Sequence, residues 1–415
     1  MTTLRRDMMG LRIDEHTIRV PLDATNASDT RSINIHASVV ARSGGEALPL
    51  LLFLQGGPGF EAPTPLPSPA SPSWLDAALE RYRVVLLDQR GTGASTPVGA
   101  ATAATSPQEA AEYLRHFRAD AIVRDAEALR EELGESRWSV LGQSFGGFTT
   151  LSYLSIAPES LDRVYFTGGL SGIGRTPDDT YRDTYAKTRV MVERYYRRFP
   201  EHRERVQRLV DLAGAGALRL PDGEQVSVSR VRSLGMLLGS DTGWQTLWRL
   251  LHADPATDAF SFDLAAALPF SPRNPIYYVL HESCYADGGR TSWAADRVEP
   301  DDFRADPTLL TAEHVRREWA DTVPGFRPWR ETADLLAQVD WPRLYDPEVI
   351  ASCGVPGAAA IYVNDIYVPL EPSLATASLL PNVATLVTSE HEHSGLRTGN
   401  VLPTLLELAD GVRMR

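Results

Sequence analysis

Leu50-Leu51-Leu52-Phe53-Leu54 is an unbroken apolar run that ends in Gln55-Gly56-Gly57-Pro58-Gly59. A strand with water on one side alternates apolar and polar residues, so a continuous run of this length belongs to a strand covered on both faces, as in a parallel sheet. The pattern recurs in Val84-Val85-Leu86-Leu87 before Asp88-Gln89-Arg90-Gly91. It returns, with one serine, in Trp138-Ser139-Val140-Leu141 before Gly142-Gln143-Ser144-Phe145-Gly146-Gly147. Val164-Tyr165-Phe166-Thr167 runs into Gly168-Gly169, Ala358 to Val363 into Asn364-Asp365, and Val383 to Val387 towards Glu390-His391-Glu392-His393. Residues 107–133 have helical spacing with Gly134 placed to cap them, and 400–410 form a last helix. Strands alternating with helices predict an α/β fold with a mostly parallel sheet covered on both faces. Ahead of it, His16 to Val20 and Ile33 to Val40 alternate in strand fashion, and Ser43-Gly44-Gly45 turns the chain, so the opening is antiparallel.

From about 172 to 345 the chain reads as helices rich in Arg, Trp and Tyr without a buried-strand run. The expected organisation is a core in two parts, 1–171 and 346–415, interrupted by a helical cap, 172–345. The proline cluster at 63–72 is expected to be a surface loop, because the strand pattern resumes beyond it. The charge balance is 41 Lys+Arg against 54 Asp+Glu, net −13, with no block of like charges. A polyanion would be repelled, so nucleic acid is not an expected partner. Nowhere do 18 consecutive apolar residues occur, and the first residues lack a signal-type apolar run, so a cytoplasmic protein away from membranes is expected. Two cysteines, Cys284 and Cys353, make neither a metal-binding pattern nor a disulfide framework. No H-E-x-x-H or phosphate-binding glycine loop with lysine is present, and His391-Glu392-His393 alone is too short a cluster for a metal; no metal or cofactor is expected.

Gly142-Gln143-Ser144-Phe145-Gly146 fits the G-x-S-x-G nucleophile elbow, and it stands between a predicted strand and the helix-like run from Phe148 to Ala157, as that turn requires. A serine hydroxyl is a weak nucleophile and needs a base oriented by an acid. Asp365 and His393 follow consecutive C-terminal strands, which brings both to the carboxyl ends of a parallel sheet. His391 is the alternative base, and Asp340 and Asp346 are weaker acids because neither ends a strand. Gly57, in the glycine loop after the first buried strand, and Phe145, just after the serine, are placed to give backbone N–H groups to a developing oxyanion. On residues alone the loop reads equally as a turn.

Together, Gln55-Gly56-Gly57-Pro58-Gly59, Asp88-Gln89-Arg90-Gly91-Thr92-Gly93-Ala94-Ser95 and Gly142-Gln143-Ser144-Phe145-Gly146-Gly147 resemble the proline iminopeptidase (prolyl aminopeptidase) family of α/β-hydrolases. Asn364-Asp365-Ile366-Tyr367-Val368 and Glu392-His393-Ser394-Gly395-Leu396-Arg397 resemble the acid and histidine segments of one branch. The family's usual HGGPG has Gln55 here in place of histidine, a change expected to alter loop support or specificity. The resemblance implies an α/β-hydrolase core with a helical cap, and release of an amino-terminal residue, typically proline, from a peptide, arylamide or amide. It also implies a cap carboxylate for the free amine. His281-Glu282-Ser283-Cys284-Tyr285 resembles the segment carrying one, which maps to Glu282; read without the resemblance, Glu282 is a solvated or ion-paired glutamate. Tryptophans 244, 248, 293, 319, 329 and 341 crowd the cap, most of them as core and some as walls for a pyrrolidine ring. Asp88-Gln89-Arg90 is expected to be structural, with an Arg–Asp contact bracing the oxyanion loop. The competing readings are an esterase, amidase or lactonase on the same core and a non-catalytic binding protein.

Overall fold

The computed structural model describes residues 2–65 and 74–413. Nine strands form one sheet: β1 (Thr2–Met8), β2 (Leu11–Pro21), β3 (Ser32–Arg42), β4 (Leu50–Leu54), β5 (Arg83–Leu87), β6 (Trp138–Gln143), β7 (Leu161–Thr167), β8 (Gly357–Tyr362) and β9 (Val383–Thr388), in the order β1-β2-β3-β5-β4-β6-β7-β8-β9. The first three strands and the β3–β5 pair are antiparallel, and every pair from β5 onwards is parallel. β1 was not expected from the sequence: it is a largely polar strand that pairs only with β2, through a turn at Met9-Gly10 where both residues have positive φ.

Alternation on the buried strands explains their composition. Leu50, Leu52 and Leu54 pack into one core with Val85, Leu87 and Val140, whereas Leu51 and Phe53 pack into a second with Val84, Leu86 and Leu141. Each strand needs apolar side chains on both faces because each face carries helices. On the first face lie α1 (Ala119–Glu132) and α2 (Phe145–Ile156); among the helices that follow are α3 (Pro177–Arg198), α4 (His202–Gly214) and α5 (Gly243–His252), and the last, α6 (Val401–Ala409), closes the second face with Val401, Leu402, Leu405 and Leu406. The expected helix over 107–133 is two, Pro107–Leu114 and α1, with Gly134 past the end at φ 74°. The break falls where Phe117 and Arg118 turn inward, both nearly fully buried. Arg118 donates to the Ala286 and Pro342 carbonyls and lies over the Trp341 ring, contacts that a continuous helix would forfeit.

Between β7 and β8 the described chain, called the cap below, contains helices, turns and two isolated bridges, but no strand of the sheet. Its apolar residues, among them Tyr181, Leu234 and Trp319, are continuous with the first-face core. Trp319, Trp329 and Trp341 are core; Trp248 is substantially exposed. Of the proline cluster, residues 66–72 lie outside the described residues. Cys284 and Cys353 are both free thiols. Among the described residues no helix is long and apolar enough to cross a membrane.

Candidate active site

Ser144 sits where β6 becomes α2, with φ 55° and ψ −123°, a conformation costly for any residue with a side chain and one that persists only when its surroundings impose it. Those surroundings are backbone. A Cβ on Gly146 would stand 1.9 Å from the Leu54 carbonyl oxygen, and one on Gly142 would stand 2.5 Å from the Gly146 oxygen. The two glycines of G-x-S-x-G are therefore required by the approach of the helix to β4 and by the tightness of the elbow itself.

β7 lies between β6 and β8, so its end must stay low for groups from either side to meet above it. Gly168 has φ +53°, and a Cβ there would come 2.9 Å from His393 Nδ1; one on Gly169 would come 2.8 Å from the Ser144 carbonyl oxygen. Across that turn His393 Nδ1 is 2.6 Å from Asp365 Oδ2. Asp365 is fully buried, and its other oxygen accepts the N–H groups of Tyr367 and Val368 at 2.8 and 2.9 Å, so the carboxylate is fixed in direction. Burial alone would make the imidazole less basic, but the Asp365 charge and hydrogen bond, with Glu313 adding, raise its pKa above the ordinary histidine value. Asp365 on Nδ1 leaves Nε2 free of it, and Gln143, the residue before the serine, has its amide nitrogen 3.4 Å from Nε2. The Tyr367 ring meets the imidazole edge-to-face at 4.9 Å.

On the opposite side of Ser144, a Cβ on Gly56 would lie 3.0 Å from the serine Cβ, so the glycine loop rests directly on the nucleophile. Gly57 has φ +128°, and Phe145, the first residue of α2, has an N–H with no acceptor in its own helix. The loop is braced from three directions. Gln89 Nε2 donates to the Gln55 carbonyl at 2.7 Å, Asp88 accepts the N–H of Ala62 at 3.0 Å, and Gln55 Oε1 accepts from Arg397 at 3.1 Å. Arg397 also reaches Gln143 Oε1 at 3.3 Å, so the side chain that replaces the histidine of HGGPG ties the loop to the segment behind His393. Arg90 does not pair with Asp88: its guanidinium takes Asp125 at 2.6 and 2.7 Å, with side chains 1% and 3% exposed, below the first-face core.

His391 is engaged elsewhere. Its Nδ1 is 2.9 Å from Asp241 Oδ2, the Glu392 N–H reaches Asp241 Oδ1 at 3.3 Å, and the Asp241 N–H donates to Ser394 Oγ at 3.1 Å. Thr398 donates to the same carboxylate. Burial opposes the Asp241 charge, yet these donors hold its pKa at about 2. One aspartate of the cap thus grips the loop that carries His393.

Two cap carboxylates approach the site differently. Glu282 is 6% exposed and caps the short helix Ala294–Arg297, its oxygens accepting the Ala294 and Ala295 N–H groups at 3.0 and 2.9 Å. Burial pushes its pKa up to about 7 despite those bonds. Glu313 is half-buried, accepts from the hydroxyls of Tyr277 and Tyr285, and lies near enough to His393 and Asp365 to act on both. Burial raises its pKa to about 7, against the pull of Tyr277 and His393. Tyr277 in turn packs on Phe60, whose ring lies against Gly57. The aromatic groups at the site are therefore Phe60, Tyr277, Tyr285 and Tyr367, rather than the cap tryptophans.

Residues 49–213 match the α/β hydrolase fold family. A proline iminopeptidase of Aeromonas sobria is 39% identical over 421 residues, covering 96% of this chain and 97% of its own. The chain belongs to the proline iminopeptidase family. A proline iminopeptidase of Aspergillus aculeatus is 33% identical, with 88% of this chain and 85% of its own covered. In this chain Ser144, Asp365 and His393 follow β6, β8 and β9 of the parallel part of the sheet. Glu313 and Asp241 went unnoticed in the sequence because each is a single acid in a cap segment without periodicity.

Proposed function

We propose that this member of the proline iminopeptidase family is a serine aminopeptidase releasing an amino-terminal residue, most readily proline, from peptides or amides through an acyl-enzyme. Ser144 Oγ attacks the first carbonyl while His393 Nε2 takes its proton, and Asp365 holds the ring and stabilises the imidazolium. The tetrahedral oxyanion receives the N–H groups of Gly57 and Phe145. His393 then protonates the leaving amine, and water activated by the same nitrogen hydrolyses the ester at Ser144.

The observation that carries the aminopeptidase reading, rather than a general esterase, is Glu313: a half-buried cap carboxylate within electrostatic reach of His393 and joined to the glycine loop through Tyr277 and Phe60. A substrate ammonium there replaces a costly unpaired charge with a charge-assisted hydrogen bond, which an amino-blocked substrate cannot offer. Glu282 shares its neighbours, since both acids act on Tyr181 and Tyr285. It supplies a second negative charge for the ammonium while it caps its helix. Two free thiols accord with work in the cytoplasm.

The test is a panel of prolyl and other aminoacyl arylamides, free and amino-blocked, beside a small neutral ester. Glu313→Gln and Glu282→Gln should each lower kcat/KM on free-amine substrates by about ten- to a hundredfold, the ~1.5–3 kcal/mol of a charged hydrogen bond, and leave the ester little changed. Equal losses on both substrate types would make the glutamate structural. Good wild-type turnover of blocked substrates would move the protein to the esterases or amidases.

A further inference from the structure

Away from the serine, three cap helices converge on a cluster the reaction does not use. Phe199 and Pro200 carry the chain from α3 into α4, which puts Glu201 and His202 at the start of α4, and His252 is the last residue of α5. One potential ligand atom from each of Glu201, His202 and His252 lies within 4.8 Å of the other two. His202 is fully buried, and its Nδ1 is 2.8 Å from the Tyr195 hydroxyl. Its Nε2 has no hydrogen-bond partner, with Glu201 Oε1 at 3.8 Å. A polar atom stranded in this way is costly unless something meets it. His252 Nδ1 is 2.9 Å from the Trp248 carbonyl, which can only accept; Nδ1 therefore carries the proton and Nε2 presents its lone pair.

We propose that Glu201, His202 and His252 form a divalent-metal site for Zn2+ or a cation of similar borderline softness, with a water in the fourth position. Two imidazoles and one carboxylate are a donor set suited to such ions and poorly suited to Mg2+ or Ca2+, which take oxygen ligands. With Zn–N and Zn–O bonds of about 2.0–2.2 Å, tetrahedral ligand atoms stand about 3.3 Å apart, so closure requires a contraction of up to about 1.5 Å. Glu201 and His252 are exposed, and Glu201 makes most of the movement because Trp248 holds His252; His202 is the fixed anchor. The Tyr195 hydroxyl behind His202 and the Trp248 carbonyl behind His252 are the kind of partner that orients a metal-bound imidazole. Stacking of Phe199 on His202 at 5.2 Å and of Trp248 on His252 at 3.9 Å limits the tilt of both rings. Arg205, one turn along α4, opposes a dication, but it is tethered to the Leu251 carbonyl at 2.9 Å and Glu201 offsets its charge. The bound ion would brace the corner where α3, α4 and α5 meet.

Metal-free full-length protein is titrated with Zn2+ against a chromophoric chelator, and with Co2+ read by its visible absorption. Wild type should take up roughly one equivalent, give the intense spectrum of four-coordinate Co2+ and gain thermal stability. Glu201→Gln and His252→Ala, both at exposed positions, should weaken binding at least tenfold and abolish the gain in Tm. Tyr195→Phe, which keeps the ring and removes only the hydroxyl, should weaken it by about ten- to a hundredfold. Absence of uptake by wild type, or uptake undiminished in His252→Ala, overturns the site.

Discussion

An imidazole can act as a base only while Nε2 is unprotonated, and His393 holds its proton more firmly than an ordinary histidine because Asp365 and Glu313 both favour the charged ring. Activity should therefore fall as pH drops through a value above about 6.5. Glu313 adds a second requirement, since only its carboxylate binds an ammonium and its pKa is about 7. We expect the acid limb of kcat/KM to be steeper on a free-amine substrate than on a neutral ester, with Glu313→Gln reducing the difference. Matching slopes in the wild type would remove Glu313 from amine binding. Ser144→Ala should abolish turnover and labelling by a serine-directed phosphonate. Replacing His393 or Asp365 should cost orders of magnitude in kcat, non-additively with Ser144; greater damage from His391→Ala than from His393→Ala would reverse their roles. These three groups were legible in the sequence because each follows a strand of the parallel sheet, where position narrows the choice. His393 is preferred to His391 there, but the partners that distinguish them, Asp365 for the one and Asp241, 150 residues away, for the other, are visible only in the structure.

At the scale of elements, the elbow depends on how closely α2 approaches β4. Gly146→Ala would drive a methyl group into the Leu54 carbonyl, and the strand cannot yield because it is paired on both sides, with β5 and β6. The expected cost is about 1–3 kcal/mol, typical of forced overpacking, read as a lower midpoint in urea at unchanged slope. No loss of stability would mean that the helix can slide. The buried Arg90–Asp125 pair should be costlier to break: Asp125→Ala leaves a guanidinium without its counter-ion and should destabilise by about 3–5 kcal/mol, measured in the same way. Strand positions were readable from apolar runs, whereas the split of the 107–133 helix was not. Helical periodicity continues through Phe117 and Arg118, and only their partners, at Ala286, Pro342 and Trp341, show why the chain turns there.

Over the whole molecule, the cap holds both loops on which the acid and base depend. Lys187 and Arg194 of α3 donate to the Val363 carbonyl and to Asn364 Oδ1 at 2.5 and 3.0 Å, just before Asp365, and Tyr367 donates to the Met236 carbonyl. Asp241 does the same for the segment around His393. A cap so fastened cannot swing open like a door without pulling acid and base out of line. We therefore expect a doorway of fixed width, and turnover that depends on peptide length as well as on the first residue. Asp241→Ala should lower kcat on the smallest prolyl substrate while narrowing the gap between short and long peptides; a uniform loss at every length would show that the doorway already moves in the wild type.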